Sequence, residues 1–399
     1  MNYSIEKITQ FINADRYGDA AASISFLLTD SRSLCFPEET LFFALKSDRN
    51  DGHHYIPELY RRGVRNFVVE NVPDNFSTLY KHANFLKVSN TLVALQQLTT
   101  HHRKAFDIPV VGITGSNGKT MVKEWLSQLL SYDRNVTRSP KSYNSQIGVP
   151  LSVWLLNESS QIGLIEAGIS KVGEMQALHD IILPTVGVLT SLGSAHQENF
   201  SSLEEKCNEK LLLFKGTQAL VYQLDDKIAA KCITAAHYDG QLLAWSEHDT
   251  TAAFYVNSIE KHETTSTINY IWQQTTQGSY TLPFIDDASI SDSITCAVVA
   301  LHFGVQPDVL AQRMAVLEPV AMRLEVKEGQ HGCTLINDSY NSDINSLDIA
   351  LDFMNRRPDQ KRRERTLILS DIYQSGETEQ QLYADVAALV KERGVKKFI

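Results

Sequence analysis

The chain is predicted to be an α/β protein with a parallel sheet at its centre. Three apolar runs without polar alternation, Val110–Ile113, Gly163–Ala167 and Val186–Thr190, have the character of parallel strands covered on both faces. Helix-like stretches separate these runs. A glycine-rich turn follows the first run and leads into a predicted helix, Lys119–Leu130.

Three units are expected along the 399 residues: a small N-terminal α/β unit (1–107), a central parallel-sheet unit (108–318) and a C-terminal Rossmann-like α/β unit (319–399). Asp107–Pro109 is a predicted hinge between the first two. The last unit has about 80 residues, whereas domains more often have about 100–150. It also stops on Lys397–Ile399, which resembles the beginning of a strand. We therefore expect the third unit to be truncated and the chain to be a fragment of a longer polypeptide.

Outside the central strands, the pattern of apolar residues predicts elements in all three units. Ser201 and Ser202 each stand three residues before a glutamate, Glu204 and Glu205 respectively. Both pairs have the spacing of a capping box, so a helix is expected from there to Phe214. The stretch Asp249–Pro283 is rich in Thr, Tyr, Ile and Val and predicts antiparallel strands. His101 and His102 are assigned to a helix surface. The further predicted strands are Leu41–Leu45, Asn66–Val69, Thr334–Ile336 and Thr366–Leu369, and the further predicted helices are Ile56–Arg62, Thr91–Lys104, Asn345–Met354 and Glu379–Lys391.

Composition excludes several classes of protein. The net charge of −10 gives no general attraction to nucleic acid or to an anionic membrane. The apolar runs are far shorter than the roughly 18 residues that span a bilayer, and the first residues do not resemble a signal peptide. Five dispersed cysteines without CxxC spacing are typical of reduced thiols. We expect a cytoplasmic protein, acting as a monomer, that binds neither nucleic acid nor membrane.

The strongest signal is the segment Gly112-Ile113-Thr114-Gly115-Ser116-Asn117-Gly118-Lys119-Thr120, which lies between a predicted strand and a predicted helix. Glycines let backbone N–H groups surround phosphate oxygens, and the helix N-terminus adds a favourable dipole. Lys119 can reach the β- and γ-phosphates, and the Thr120 hydroxyl can bind Mg²⁺. The usual spacing requires glycine where Ile113 stands. The alternative is a glycine-rich turn that binds no ligand.

These residues resemble the Mur ligase family, whose phosphate loop has the form Thr-Gly-x-Asn-Gly-Lys-Thr, here Thr114–Thr120. Asn144–Pro150 is similar to the family's Asn-Asn-x-Ile-Gly-Val-Pro segment, with Ser145 in place of the second asparagine. The resemblance extends over nearly the whole chain. It implies a three-domain Mur ligase architecture, in which the first unit binds a UDP-linked substrate and the central unit binds ATP.

The resemblance also implies roles for individual residues. The implied metal ligands, for two Mg²⁺ ions, are Thr120, Glu166, His196 and a carbamylated Lys210. The implied catalytic residues are Lys119, His196 and Lys210. ATP would be held by Gly115 to Thr120 together with Asp292, Arg323 and Asp338, and the UDP substrate by Ser31, Arg32 and Asn144. Asp292 departs from the family, which usually has an adenine-facing asparagine there.

Two regions resemble one ligase type within the family. Asp338-Ser339-Tyr340-Asn341-Ser342-Asp343 is similar to the Asp-Ser-Tyr-Asn-Ala-Asn segment of the ligase that adds D-alanyl-D-alanine to UDP-N-acetylmuramoyl-tripeptide in peptidoglycan synthesis. Asp30-Ser31-Arg32 and Asp51-Gly52-His53 are similar to that ligase's uridine-nucleotide domain. The implied activity is ATP-dependent amide-bond formation through an acyl phosphate. In some bacteria this ligase is fused to a C-terminal alanine racemase, with which the ending at Ile399 is compatible.

Each implied role has a simpler alternative in the residues themselves. Glu166 follows a predicted strand and could cap the next helix, and His196 could be a polar loop residue. Lys206 and Lys210 are four residues apart and could form a solvated basic stripe on one helix face. Carbamylation of Lys210 requires a neutral amine, which burial would favour by lowering its pKa. Arg323 and Asp338 could each belong to a surface ion pair.

Other functions compete with this interpretation. The fold would also suit another amino-acid-adding Mur ligase or a folate polyglutamylating relative, although residues 1–107 argue against the latter because such relatives lack a separate uridine-nucleotide domain. A nucleotide-binding module made inactive by its truncated third unit is a further alternative. A P-loop kinase or ATPase of another family would require a Walker B aspartate, where this chain has Glu166.

Overall fold

The computed structural model describes residues 1–399 apart from 48–49, 194–196, 322–323, 340–342, 357–363 and 373–377. The described chain forms three successive α/β units, which confirms the predicted fold class. Each unit has its own hydrophobic cluster or pair of clusters. Within the described residues, no helix is both long enough and apolar enough to cross a bilayer.

The first unit is built on a sheet with the strand order β2-β9-β8-β5-β4, parallel except for β2. Strands β5 and β8 are buried along their whole length because helices and connecting segments cover both faces of the sheet. The strands are β1 (Tyr3–Ser4), β2 (Asp15–Tyr17), β3 (Ser23–Ile24), β4 (Phe26–Leu28), β5 (Thr40–Phe43), β6 (Lys46–Ser47), β7 (Asn50–Asp51), β8 (Asn66–Val69) and β9 (Asn84–Lys87), and the helices are α1 (Ile5–Phe11), α2 (Ile56–Arg61), α3 (Phe76–Leu79) and α4 (Thr91–Arg103).

The second unit contains a sheet with the strand order β11-β12-β10-β13-β14-β15-β16-β17-β18, whose last three strands form the antiparallel extension expected from the sequence. Its strands are β10 (Val110–Thr114), β11 (Val136–Arg138), β12 (Ile162–Glu166), β13 (Val186–Leu189), β14 (Ala219–Gln223), β15 (Gln241–Ser246), β16 (Phe254–Lys261), β17 (Ser266–Trp272) and β18 (Thr276–Leu282). Its helices are α5 (Lys119–Leu130), α6 (Gly148–Val153), α7 (Met175–Ile182), α8 (Leu203–Leu211), α9 (Lys227–Ala235), α10 (Asp287–His302) and α11 (Pro307–Met314).

Helices cover both faces of this sheet, which explains its uninterrupted apolar strands. Trp125 of α5 and Ile294 of α10 pack on one face, whereas Met175 of α7 and Cys207 of α8 pack on the other. Strand β10 lies between β12 and β13 and pairs with both in parallel. Since ligands bind at the carboxyl ends of parallel strands, the segments that follow these three strands meet at one edge of the sheet.

The first unit is joined to the second by a buried contact, in which α4 packs against α6 and α7. His102 is buried there, so its assignment to the helix surface is wrong. Its Nε2 donates to the carbonyl oxygen of Leu156 over 2.9 Å, which leaves Nδ1 to face the Tyr3 hydroxyl at 3.0 Å. Arg103 also anchors the connection between the units by donating to Ile182 O and Phe106 O.

The third unit consists of a hairpin, two helices and a pair of parallel strands. Its core contains Leu347 and Leu351 from the first helix and Leu382 and Val386 from the second. The predicted strand Thr366–Leu369 is shorter in the structure, and the other predicted elements agree within two residues. The bounds are β19 (Glu325–Glu328), β20 (Thr334–Asn337), α12 (Ile344–Arg356), β21 (Thr366–Leu367), α13 (Glu379–Glu392) and β22 (Lys397–Phe398).

Candidate active site

The phosphate loop, Thr114–Thr120, connects the end of β10 to the start of α5, as the sequence predicted. Gly118 is the N-cap of α5 and has a φ of +83°, a conformation that favours glycine. The first turn of α5 has no acidic side chain, and within the described residues no side chain caps it. The first backbone N–H groups of α5 are therefore available to an anion.

Two glycines of the loop lie against neighbouring side chains. A Cβ atom on Gly115 would stand 1.8 Å from Thr190 Oγ1, and one on Gly118 would stand 2.4 Å from Asp292 Oδ1. Thr190 also donates from Oγ1 to Asn117 O over 2.6 Å. The loop is thus packed closely between the residue that follows β13 and helix α10.

The ammonium group of Lys119 lies within the loop. Its Nζ donates to the carbonyl oxygens of Gly115 and Ser116 over 2.9 and 2.8 Å. Ser116 is in turn fixed by its N–H, which donates to Ser191 O, and by its hydroxyl, which contacts the backbone of Gly193. The loop therefore already contains the cation that the sequence assigned to phosphate binding.

Two further lysines, both on α8, are buried beside the loop. Lys210 Nζ donates to Gly115 O over 3.0 Å, and Lys206 Nζ donates to Gly193 O over 2.6 Å. Ser202 is the cap that starts this helix, since its hydroxyl accepts from Glu205 N–H. The alternative of a solvated basic stripe is wrong, because only 1% of Lys206 and 2% of Lys210 is exposed.

Burial changes the protonation of both amines. Desolvation, together with the charges of Lys119 and Lys206, lowers the pKa of Lys210 far below the usual lysine range. Desolvation also lowers the pKa of Lys206 to about 8, with Lys119 adding to the shift and Asp343 opposing it. The lowered pKa of Lys210 favours its neutral amine, the form that can react with an electrophile such as CO₂.

Glu166, at the end of β12, is buried and faces the first turn of α5. Its carboxylate accepts a hydrogen bond from Thr120 Oγ1 over 3.1 Å and another from Asn144 Nδ2 over 2.7 Å. It caps no helix. The N-terminus of α7 is instead capped by Glu209, whose Oε1 accepts from Gly173 N and Met175 N. The cap alternative for Glu166 is therefore wrong.

This group of atoms suits a hard divalent cation. Glu166 supplies a carboxylate, and Thr120 and Ser142 supply hydroxyl oxygens that lie 3.0 Å apart. Mg²⁺ prefers oxygen ligands and commonly binds through one or two carboxylates plus substrate phosphates. Within the described residues no group of three or more His, Cys, Asp or Glu side chains forms a metal site. The residues thus fit Mg²⁺ held jointly with a nucleotide.

A cavity of about 620 Å³ extends from the phosphate loop across all three units. It is lined by Leu92 of the first unit, by Lys210 and Asp292 of the second and by Asp338 of the third. Asp338 is held in place because its Oδ1 accepts from Leu324 N–H over 3.2 Å. The three units therefore share one site, and Asp292 and Asp338 belong to it.

Of the predicted site residues that the structure describes, Ser31 and Arg32 do not line this cavity. His196 and Arg323 lie outside the described residues. Ser31 and Arg32 lie in the first unit, on a short helical turn capped by Asp30. The Arg32 guanidinium is exposed and binds both carboxylate oxygens of Asp30, at 2.7 to 3.1 Å.

The structure adds residues that the sequence reasoning had not singled out. Thr190, Ser142 and Lys123 all contact the loop or Glu166. A signal existed for two of them: Lys123 lies one helical turn beyond Thr120, and Thr190 ends a predicted parallel strand. Ser142 lies in a segment of irregular structure, where spacing does not indicate which way a side chain points.

A family model for the Mur ligase middle domain matches residues 113–300, which include the phosphate loop, Glu166 and Lys210. Over this stretch the chain is similar to the Mur ligase family. The predicted reaction class, ATP-dependent amide-bond ligation, is confirmed by this match and by the curated relatives, which are named as ligases. The Mur ligase match covers the unit that contributes most residues to the cavity.

Curated relatives match most of the chain. The UDP-N-acetylmuramoyl-tripeptide--D-alanyl-D-alanine ligase of Bacillus subtilis is 27% identical over 377 residues, which are 91% of this chain and 76% of that protein. The enzyme of the same name from Escherichia coli is 24% identical over 400 residues, covering 100% of this chain and 86% of that protein. These relatives all carry the name of one Mur ligase type.

Solved structures share the fold of this chain. A crystal structure of MurF from Acinetobacter baumannii has a TM-score of 0.86 at 22% identity and covers 100% of this chain and 85% of its own. The MurF ligase of Thermotoga maritima, crystallised with ADP, has a TM-score of 0.76 at 22% identity and covers 94% of this chain and 87% of its own. The similarity includes all three units.

Proposed function

We propose that this protein adds D-alanyl-D-alanine to UDP-N-acetylmuramoyl-tripeptide in peptidoglycan precursor synthesis. The observation that supports the proposal most strongly is the single cavity in which the phosphate loop, Glu166, Lys210 and Asp338 meet. The substrate assignment rests on the curated relatives, which are named for this reaction.

ATP is the proposed nucleotide. Its triphosphate would lie against the N–H groups of Gly115 to Thr120, where the helix dipole and Lys119 offset its negative charge. The carboxylate of Asp338 suits the ribose hydroxyls, and Asp292 beside Gly118 is the residue assigned to the adenine side. The ADP bound by the Thermotoga maritima relative supports this choice.

The reaction needs two steps because a free carboxylate has no good leaving group. An oxygen of the tripeptide carboxylate attacks the γ-phosphorus of ATP, the bond to the bridging oxygen breaks, and an acyl phosphate and ADP form. The amine of D-alanyl-D-alanine then attacks the acyl carbon, phosphate leaves and the nitrogen loses a proton. Lys119 brings a positive charge between the two anions of the first step.

Glu166 and Thr120 would hold one Mg²⁺, and Lys210 and His196 would hold a second. Mg²⁺ supplies charge neutralisation and orientation of phosphate oxygens when it is bound. Lys210 would act as a carbamate: its neutral amine attacks CO₂, an N–C bond forms, and a proton is released. The lowered pKa of Lys210 favours the neutral amine that this step requires.

The UDP portion of the substrate would bind the first unit near Ser31 and Arg32, with Asn144 facing the muramoyl part and Arg323 the phosphates of ATP. We place the units at residues 1–107, 108–318 and 319–399, and we propose a cytoplasmic monomer. Binding of Arg32 to a phosphate would require its guanidinium to exchange the carboxylate of Asp30 for the ligand.

Phosphate release from ATP in the presence of UDP-N-acetylmuramoyl-tripeptide tests the proposed function when the amine is varied. Release that depends on D-alanyl-D-alanine, with an amide product one dipeptide heavier by mass spectrometry, is the expected result. Release with a free amino acid alone would assign the chain to a sister ligase. No release with any amine, in a protein that binds nucleotide, would identify an inactive nucleotide-binding module.

A further inference from the structure

Lys123 lies on α5 one turn beyond Thr120, and its side chain is completely buried. Its ammonium group stands 3.7 Å from Glu166 Oε2 and 3.0 Å from Glu124 Oε1, and it donates a hydrogen bond to Lys141 O. We infer that Lys123 is a positioning residue, which orients the Glu166 carboxylate for the divalent cation. This inference rests on the proposed function of the same site.

The contacts of Glu166 are divided between its two oxygens. Oε1 accepts from Asn144 Nδ2, and Oε2 faces the ammonium of Lys123. The Thr120 hydroxyl lies 3.3 Å from Oε1 and 3.1 Å from Oε2. A carboxylate held at both oxygens by partners from different elements is restrained from rotating about its terminal bond. Loss of the Lys123 contact would leave Oε2 with the weaker, neutral hydroxyl contact.

Charge gives Lys123 a second effect on the same carboxylate. Glu166 is 1% exposed, so an ionised form without a nearby cation would be costly. Lys119 lies in the phosphate loop, where its Nζ donates to Gly115 O and Ser116 O. Lys123 is buried and does not line the cavity, whereas Glu166 does, so Lys123 supplies a compensating positive charge from within the protein.

The same ammonium also fixes the segment that carries Asn144. Lys141 has a φ of +49°, which is unusual for a residue with a side chain, and its carbonyl oxygen accepts from Lys123. Three residues later, Asn144 holds the other oxygen of Glu166. Lys123 thus connects α5, the end of β12 and the connection between β11 and α6 at one point.

A purely structural role would be an unusual use of a lysine at this position. Replacing a whole buried ion pair by apolar residues of similar volume is often neutral, because desolvation offsets the attraction, whereas removing one partner costs stability. A purely structural role would therefore lower the stability of a Lys123 variant and leave the metal affinity of the folded protein unchanged. Residues that orient metal ligands from behind behave differently, since their substitution typically weakens metal affinity or activity by about 10- to 100-fold. The two roles therefore predict different results for the same substitution.

Lys123→Met tests the inference, because methionine keeps the volume and removes the charge. The direct measurement is Mn²⁺ affinity in the presence of a non-hydrolysable ATP analogue, read from the electron paramagnetic resonance of free Mn²⁺. We expect affinity about 10-fold weaker in Lys123→Met. Half-saturating Mg²⁺ for turnover should rise in parallel, with the KM for D-alanyl-D-alanine unchanged.

Glu124→Gln is the matched control, because it removes the negative charge of another partner of the Lys123 ammonium and leaves Glu166 in place. The Mn²⁺ affinity of Glu124→Gln should stay near that of the wild type. Lys123→Arg keeps the charge and should recover part of the loss. If the methionine variant does not fold, Lys123→Gln, which can still donate to Lys141 O, should show the same weakening.

Unchanged Mn²⁺ affinity in folded Lys123→Met or Lys123→Gln would overturn the inference. That result is distinct from failure of the proposed function, which would be seen as a wild-type protein without turnover dependent on D-alanyl-D-alanine. The Mn²⁺ measurement needs no turnover, so it decides the role of Lys123 in either case.

Discussion

The Nζ atom of Lys210 donates a hydrogen bond to the carbonyl oxygen of Gly115 over 3.0 Å, which joins α8 to the first glycine of the phosphate loop. The contact places an amine with a strongly lowered pKa beside the proposed triphosphate site. The positive charges of Lys119 and Lys206 lower that pKa further, because like charges close together repel one another. The position of Lys210 therefore favours its reaction with CO₂.

Carbamylation of Lys210 is the first prediction. Protein equilibrated with ¹³C-bicarbonate should show a carbamate carbon resonance that Lys210→Ala lacks and that the exposed control Lys227→Ala retains. Lys210→Ala should lose most activity, because a cavity replaces a metal ligand, and short carboxylic acids such as acetate should partly restore it. Full activity of Lys210→Ala without any added acid would remove the carbamate from the mechanism.

Lys119→Ala should abolish measurable turnover. The loop would lose the cation that offsets the charge of two meeting anions, a kind of loss that typically reduces kcat by at least about 100-fold. Phosphate release measures the effect, and Lys215→Ala, which changes an exposed lysine of the same unit, is the control. Wild-type rates in folded Lys119→Ala would contradict the role of this loop.

Gly118→Ala should remove nucleotide binding and destabilise the protein. The added methyl group would stand 2.4 Å from Asp292 Oδ1, in addition to the cost of a φ of +83° in a residue with a side chain. Gly304→Ala measures the cost of the positive φ alone, because Gly304 has a φ of +87° and an added Cβ there would meet open space.

The expected difference between the two alanine variants is clear in a thermal scan with and without nucleotide. Gly304→Ala should lose about 1–2 kcal/mol and keep its stabilisation by the nucleotide. Gly118→Ala should lose more and gain nothing from the nucleotide. Equal behaviour of both variants would show that the space beside Asp292 is unimportant.

Stability should fall in mild acid because of His102. Desolvation lowers the pKa of His102 to about 4, against about 6.5 in an unfolded chain. Between these two pKa values the unfolded state binds more protons than the folded state. The stability that His102 contributes is therefore complete above pH 6.5 and is lost as the pH falls towards 4. The loss should be on the order of 3 kcal/mol.

Denaturant unfolding between pH 4 and pH 7 measures this dependence. His102→Gln should flatten it, since glutamine does not titrate, whereas His101→Gln on the exposed side of the same helix should leave it unchanged. If the free energy of unfolding of His102→Gln falls with pH as steeply as that of the wild type, the acid sensitivity comes from other groups.

Much of the second unit could be predicted because its signals are local. The helix Lys119–Leu130 has the predicted bounds, and the strands around it agree within one residue, since continuous apolar runs and a glycine-rich turn determine both. The antiparallel strands within Asp249–Pro283 follow from residue alternation in the same way. Capping chemistry located the start of α8, although only the structure identified Ser202 as the cap.

The site itself was only partly predictable. Spacing places Lys206 and Lys210 on one helix face, but it does not reveal whether that face meets solvent or the phosphate loop. The histidine pair of α4 shows the same limit, because the surface that buries His102 comes from another unit. Lys123 was overlooked for a related reason: its partners Glu166 and Lys141 lie on other elements.

The helices, the strands of the parallel sheet and the phosphate loop could be predicted, since each depends on residues that are adjacent or regularly spaced along the chain. The desolvation of individual side chains and the closeness of their charges became visible in the folded protein. Both desolvation and the distances between charges depend on packing between segments that are far apart in the sequence. They account for the lowered pKa of Lys210, the restrained carboxylate of Glu166 and the cavity shared by three units.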